Sequence, residues 1–133
     1  QIAEGRACLE QALALQGRGP YVLQAAIASL QADDPIDWTE VAALYGELAR
    51  ATGSAVVELN RAVAVAEVDG PEAALRIVDA LALDDYQYLH STRADLLRRL
   101  GRADEARTAY ERALELARND AERRFIELQI QEL

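Results

Sequence analysis

Residues 62–81 and 94–114 of this chain are two copies of one pattern, and that repetition restricts the fold more than any other feature. The first copy reads Ala62, Gly70, Glu72-Ala73, Ile77 and Ala80-Leu81. The second reads Ala94, Gly101, Glu105-Ala106, Tyr110 and Ala113-Leu114. From the Glu-Ala pair onward the spacing is identical, and only the turn before it differs in length. Ala73 and Ala106 are 33 positions apart (106 − 73), close to the roughly 34-residue period of helix-turn-helix solenoid repeats.

One stretch of the first copy admits another reading. In "NRAVAVAEVDGPEAAL", Asn60 to Leu75, Ala and Val alternate into Asp69-Gly70, as in a strand entering a hairpin. Such a strand would bury every side chain and need parallel partners, and the chain offers no second strand candidate. The stretch therefore reads as two antiparallel helices broken at Asp69-Gly70-Pro71. Ala62, Ala73 and Ala80 permit a close approach, with Ile77 and Leu81 filling the space between.

The remaining breaks support a helical chain. Ala (27 residues), Leu, Glu and Arg dominate, while Gly17, Gly19-Pro20, Asp34-Pro35, Thr52-Gly53 and Gly101 fall between apolar segments of helical period. Asp37 with Glu40, and Asn119 with Glu122, have capping-box spacing. Ser54 is placed to open a helix, and Pro71 suits a first helical position. Eight helices are predicted, at about 2–16, 20–32, 38–51, 55–68, 71–82, 86–100, 103–118 and 120–132.

Charge and cysteine content narrow the function classes. The net charge is −9, from 23 acidic and 14 basic residues, and every basic residue is Arg. An acidic segment repels phosphate backbones, so no direct nucleic-acid contact is expected. The longest apolar runs fall far short of a membrane span, and no signal peptide is visible. One cysteine, Cys8, excludes an intramolecular disulfide and favours a cytoplasmic setting.

The segment "HSTRADLLRRLGRADEARTAYERALEL", His90 to Leu116, resembles a tetratricopeptide repeat at Ala94, Gly101, Ala106, Tyr110, Ala113 and Leu114. Arg118 stands where a Pro usually closes that repeat, and the match over 20–51 is loose, with Trp38 and Tyr45 supplying bulk. A narrower resemblance spans nearly the whole chain. The strings "IAEGRACLEQALAL", "GPYVLQAAIASL", "DWTEVAALYGEL", "LNRAVAVAEVDGPEAAL" and "YLHSTRADLLRRLGRADEARTAYERAL" together resemble the C-terminal tetratricopeptide-like extension of extracytoplasmic-function (ECF) RNA polymerase sigma factors.

That resemblance implies an all-α fold: a right-handed solenoid of antiparallel helix pairs, a single domain over 1–133, closed by a C-terminal capping helix. It implies that two sigma domains precede this segment in the full protein, a view the absence of an initiator Met fits. It further implies a non-catalytic regulatory role in transcription initiation, without cofactor or metal. Its partners would be its own sigma domains, RNA polymerase, or a small YCII-related protein of the DGPF type. The alternative is a free-standing adaptor that binds a peptide in its concave groove.

Few residues suggest chemistry. His90 and Cys8 lie in different predicted helices and form no metal cluster; a nucleophile–base pairing between them has no other support. Asp33-Asp34 and Asp84-Asp85 sit at helix boundaries, where capping accounts for them. Asn60 and Arg61 are polar positions in an otherwise apolar helix, so they either tie neighbouring repeats together or face a binding groove. Arg93 falls in line with Leu89, Leu96, Leu97 and Leu100 and must find a carboxylate or a cavity. Asp95, Arg98 and Arg99 project from other faces of that helix, and His90 is expected to be packed or hydrogen-bonded. At the termini, Phe125, Leu128, Ile130 and Leu133 should cover the end of the array. Ile2, Leu9, Leu13 and Leu15 form an apolar N-terminal face that could pair two copies as a homodimer.

Overall fold

The computed structural model describes residues 19–133, and among them it is all-α, with no strand. The stretch 55–79 is helix on both sides of Gly70, whose φ of 93° breaks the chain. The predicted helix over 2–16, with Cys8 and the apolar face of Ile2, Leu9, Leu13 and Leu15, lies outside the described residues. The chain divides into two compact units at Val68/Asp69.

The first unit contains α1 (Pro20–Gln31), α2 (Trp38–Thr52) and α3 (Ala55–Asp69). Each starts where local chemistry favours it. Pro20 occupies the first turn of α1, where its missing N–H costs nothing. Asp37 caps α2 by accepting the Glu40 N–H at 3.2 Å, and Ser54 Oγ accepts the Val57 N–H at 3.3 Å. Gly53 ends α2 at φ 65° and returns its N–H to the Ala49 carbonyl at 2.8 Å, a left-handed cap that glycine adopts without strain. Leu23, Ile27 and Leu30 of α1 meet Val41, Leu44 and Leu48 of α2 and Ala64 of α3. Ile36, Trp38, Tyr45 and Val57 pack around that core. The spacings of three and four put these residues on one face of each helix.

The second unit contains α4 (Pro71–Asp79), α5 (Gln87–Arg99), α6 (Ala103–Glu115) and α7 (Asp120–Gln131). α5 and α6 form its tightest pair. Ala94, Ala106, Ala109 and Ala113 are buried with Leu96, Leu97 and Tyr110, so methyl groups set the approach and the larger side chains fill it. The turn between these helices is fully bonded: Gly101 N–H reaches Arg98 O at 3.0 Å, and Arg102 N–H reaches Leu97 O at 2.9 Å. This is the Schellman arrangement, with Gly101 at φ 77°. Asn119 caps α7 by accepting the Glu122 N–H at 2.9 Å.

Three expectations need correction. The helix expected over 71–82 ends at Asp79; Ala80 is exposed and Leu81 half-buried. The N–H groups of Ala80 and Leu81 turn to the carbonyls three residues back, Ile77 and Val78, which closes the last turn tightly. Ala80 therefore mediates no close approach. The helix expected over 103–118 ends at Glu115 in the same way, with Leu116 N–H on Ala113 O and Ala117 N–H on Leu114 O. Finally, α7 buries Ile126 but leaves Phe125 60% and Leu128 49% exposed. Ile126 is its buried residue and Ile130 is half-buried, with Phe125 and Leu128 to one side of them.

Candidate interaction sites

Asn60 and Arg61 are adjacent in sequence and about 100° apart around α3, and they line different hollows of the first unit. Arg61 borders a cleft of about 720 Å³ lined by Ala42, Gly46, Ala49 and Arg50 of α2 and by Glu58 of α3. Its guanidinium grips Glu58 with two parallel bonds, Nε to Oε1 at 2.7 Å and Nη2 to Oε2 at 3.0 Å. The fork geometry suits a carboxylate. The Arg61 hydrogen bond, reinforced by the charges of Arg61 and Arg50, holds the Glu58 carboxyl below the usual glutamate range against the opposing effect of burial. Both partners keep about 30% of their side-chain surface, at 29% and 30%, so the pair forms a wall of the cleft. Glycine at 46 keeps that wall low, because a Cβ there would stand 3.5 Å from Arg61 Cδ.

Asn60 is exposed on the rim of a smaller hollow of about 210 Å³, with Gln24, Gln31, Tyr45 and Leu48. Neither residue is buried in the apolar body of α3. The third side chain of this group, Glu58, is identifiable in sequence only by its i,i+3 spacing from Arg61.

In the second unit Arg93 does find a carboxylate. Its Nε donates to Asp79 Oδ1 at 2.8 Å, joining the middle of α5 to the end of α4. The Arg93 side chain keeps 32% of its surface, so it lies at the border of the leucine stripe rather than inside it. His90 Nε2 bonds the Asp84 carbonyl at 2.7 Å; since a carbonyl only accepts, that nitrogen carries the proton. Arg112 Nη2 reaches the same carbonyl and Asp85 Oδ1, both at 3.3 Å. His90 and Arg112 thus fasten the connection between α4 and α5. Asp95 pairs along its own helix with Arg98, and with Arg99 at 3.8 Å. Bonds to Asp95 first, and to Tyr110 second, strengthen the hold of Arg98 on its proton. Burial raises the Tyr110 phenol above its ordinary value, with Arg98 pulling the other way. Asp95 and Arg98 thus hold each other, while His90 and Arg93 serve contacts of their own, and the four do not converge on one site.

A further hollow, of about 350 Å³, lies between α5 and α7. Its lining includes Gln87, Tyr88, Ser91, Glu122, Phe125 and Ile126. Sequence reasoning missed it, because Phe125 counted as core and Gln87 carried no pattern. The available signal was the pair Phe125 and Leu128, which cannot share the inward face with Ile126 and Ile130. Among the described residues no group of three or more His, Cys, Asp or Glu could hold a metal ion. No helix among them is long and apolar enough to cross a membrane.

Comparison with known proteins places this geometry. Residues 87–120, which cover α5, the turn at Gly101 and α6, match the tetratricopeptide repeat family. With the helical architecture this makes the fold tetratricopeptide-like, an architecture that generally mediates protein–protein contact. The chain is 46% identical to an uncharacterized protein of Rhizobium meliloti (strain 1021), over 99% of its own length. It spans about a third of that relative, 33%.

Proposed function

We propose that this chain is a non-catalytic protein-interaction module, the regulatory C-terminal region of an ECF-type RNA polymerase sigma factor. The observation that carries the interaction role is the repeat over 87–120 within a chain that corresponds to only a third of its relative. A segment of this kind leaves room in the larger protein for domains that act, while itself offering surfaces to bind. The sigma-factor context rests on the resemblance of five strings spread in order along the chain. Its partners would be its own sigma domains, the polymerase, or a YCII-related protein of the DGPF type, met in the cytoplasm.

The first-unit cleft supports a docking role. Glu58 and Arg61 satisfy each other there, so a partner can cover them without stranding a charge. Measuring binding of the isolated sigma domains to the chain by titration calorimetry tests the reading. Saturable binding that Asn60→Ala with Arg61→Ala weakens, with no more loss of stability than a partly exposed ion pair accounts for, supports it. If the native gene carries no sigma domains before Gln1, or if those domains and the polymerase both fail to bind, the sigma reading falls.

A further inference from the structure

Charged side chains make up 28% of this chain, yet none lines the hollow of about 210 Å³ that α1, α2 and α3 share. α1 itself carries no charge from Pro20 to Gln31. The neighbouring cleft of the same unit is ionic by contrast, with Glu47, Arg50, Glu58 and Arg61 around it. The polar groups of the uncharged hollow are the carboxamides of Gln24, Gln31 and Asn60, all exposed, and the hydroxyl of half-buried Tyr45. Among the described residues none of these four side chains is paired within the protein. Ile27 and Leu48 are buried and Val57 is half-buried, which makes the floor apolar. Val56 and Val63, one turn to either side of Asn60 on α3, keep 36% and 44% of their surface exposed.

An ion seated in this hollow would lose water and meet no counterion, a cost that excludes charged occupants. At about 210 Å³ the hollow is also smaller than the roughly 300–1,000 Å³ of small-molecule sites, and suits a single apolar side chain. Each carboxamide at its mouth offers both a donor and an acceptor, the two groups that a peptide unit must satisfy when water is displaced. Gln24 and Gln31 are seven positions apart (31 − 24) on one side of α1, about 10 Å along the helix axis. Three residues of an extended chain cover about the same 10 Å. We infer that this hollow receives an extended, uncharged segment of a partner protein. One apolar side chain of the segment rests on Ile27 and Leu48, and its flanking peptide groups pair with Gln24, Gln31 and Asn60. This rests on the interaction role proposed above and names the chemistry that one surface recognises.

The probes are the blocked pentapeptide acetyl-Gly-Ser-Leu-Ser-Gly-amide, its counterparts with Glu or Lys in place of Leu, and a Leu form N-methylated at the Leu and following Ser nitrogens. Each is titrated into the whole chain and followed by NMR. The expected result is saturable shifts confined to Gln24, Ile27, Gln31, Tyr45 and Asn60, with the Leu peptide binding about tenfold tighter than either charged form. N-methylation, which removes two backbone donors, should weaken the Leu peptide about tenfold. Gln24→Ala with Gln31→Ala should weaken it by a similar factor. Both glutamines are exposed, so that variant should fold, and an unchanged melting curve checks it. Raising the salt from low to high should leave the Leu affinity unchanged. A Glu or Lys peptide binding as well as Leu, an N-methylated peptide binding as well as the parent, or shifts that never saturate would each overturn the inference. The two readings fail separately. Sigma domains that bind the chain while the Leu peptide does not would sink this inference and leave the function standing. A Leu peptide that saturates the hollow with no sigma domain or polymerase binding would do the reverse.

Discussion

The α5–α6 pair of the second unit and the α2–α3 pair of the first are each joined by a short turn on a left-handed glycine, Gly101 and Gly53, and each presents small residues. They use them differently. In α5–α6 the alanines at 94, 106, 109 and 113 are buried against Leu96, Leu97 and Tyr110. In α2–α3 the residues Ala42, Gly46 and Ala49 line a cleft of about 720 Å³. Small residues permit close approach but do not supply it; large side chains on the facing helix must fill the remaining space. Opposite Gly46 stands Arg61, whose charged end must reach Glu58 and a partly wet surface instead of filling a core.

Five substitutions would break or sharpen that contrast. The largest effect is expected from Leu97→Ala, in the dense pair, where the side chain has no exposed surface. It should cost about 2–5 kcal/mol, seen as a lower urea midpoint. A loss below ~1 kcal/mol would show that the α5–α6 packing is no tighter than that of the cleft.

Next come the caps, one in each unit. Asp37→Ala and Asn119→Ala each remove an acceptor of a first-turn N–H and should each cost about 1 kcal/mol. The shorter bond at Asn119, 2.9 Å against 3.2 Å, places the larger loss in the second unit, as paired thermal melts would show.

Gly46→Ala should act in the opposite direction. The new methyl would meet Arg61 Cδ at 3.5 Å and Arg50 Nη1 at 3.6 Å, ordinary contact distances. Replacing a mid-helix glycine should then stabilise by up to about 1 kcal/mol. A destabilised variant would mean that the cleft wall cannot yield even to a methyl group.

The smallest effect is expected at the cleft ion pair. Arg61→Ala should cost roughly 0.2–0.5 kcal/mol at neutral pH, as befits a partly exposed i,i+3 pair. Because Glu58 is held below its ordinary value of 4.5, the pair's stabilisation is complete above that value. It fades as the pH falls through the lowered folded value, as the protonated acid no longer pairs. Wild-type and Arg61→Ala stabilities should therefore converge as the pH falls below that lowered value. A gap that persists in acid would assign the effect to lost packing of the arginine stem.

Local chemistry made much of the fold legible. The caps at Asp37, Ser54 and Asn119, the stops at Gly53, Gly70 and Gly101, and the small-residue rhythm of 94–113 each act within a few residues of their own position. Reading 62–68 as helix rather than strand was likewise possible from pattern alone, since no second strand existed to pair with it. The ends of α4 and α6 were not legible, because Ala80 and Leu116 have good helical propensity and nothing in the pattern marks where the N–H groups turn to the carbonyls three residues back. Nor did the pattern show that His90 and Arg112 hold Asp84 and Asp85 beyond α4.

The candidate sites divide along the same line. Sequence alone marked Asn60, Arg61 and Arg93 as polar groups in apolar helices and required of Arg93 a carboxylate or a cavity. Only the folded chain chose Asp79 for it, 14 positions away. Only the fold sent Asn60 and Arg61 to different hollows, turned Phe125 outward, and left Gln87 Oε1 without a donor. The reason is physical: helix formation, capping and termination are decided by neighbours along the chain. Burial and partner choice are decided by which helix face another helix happens to cover.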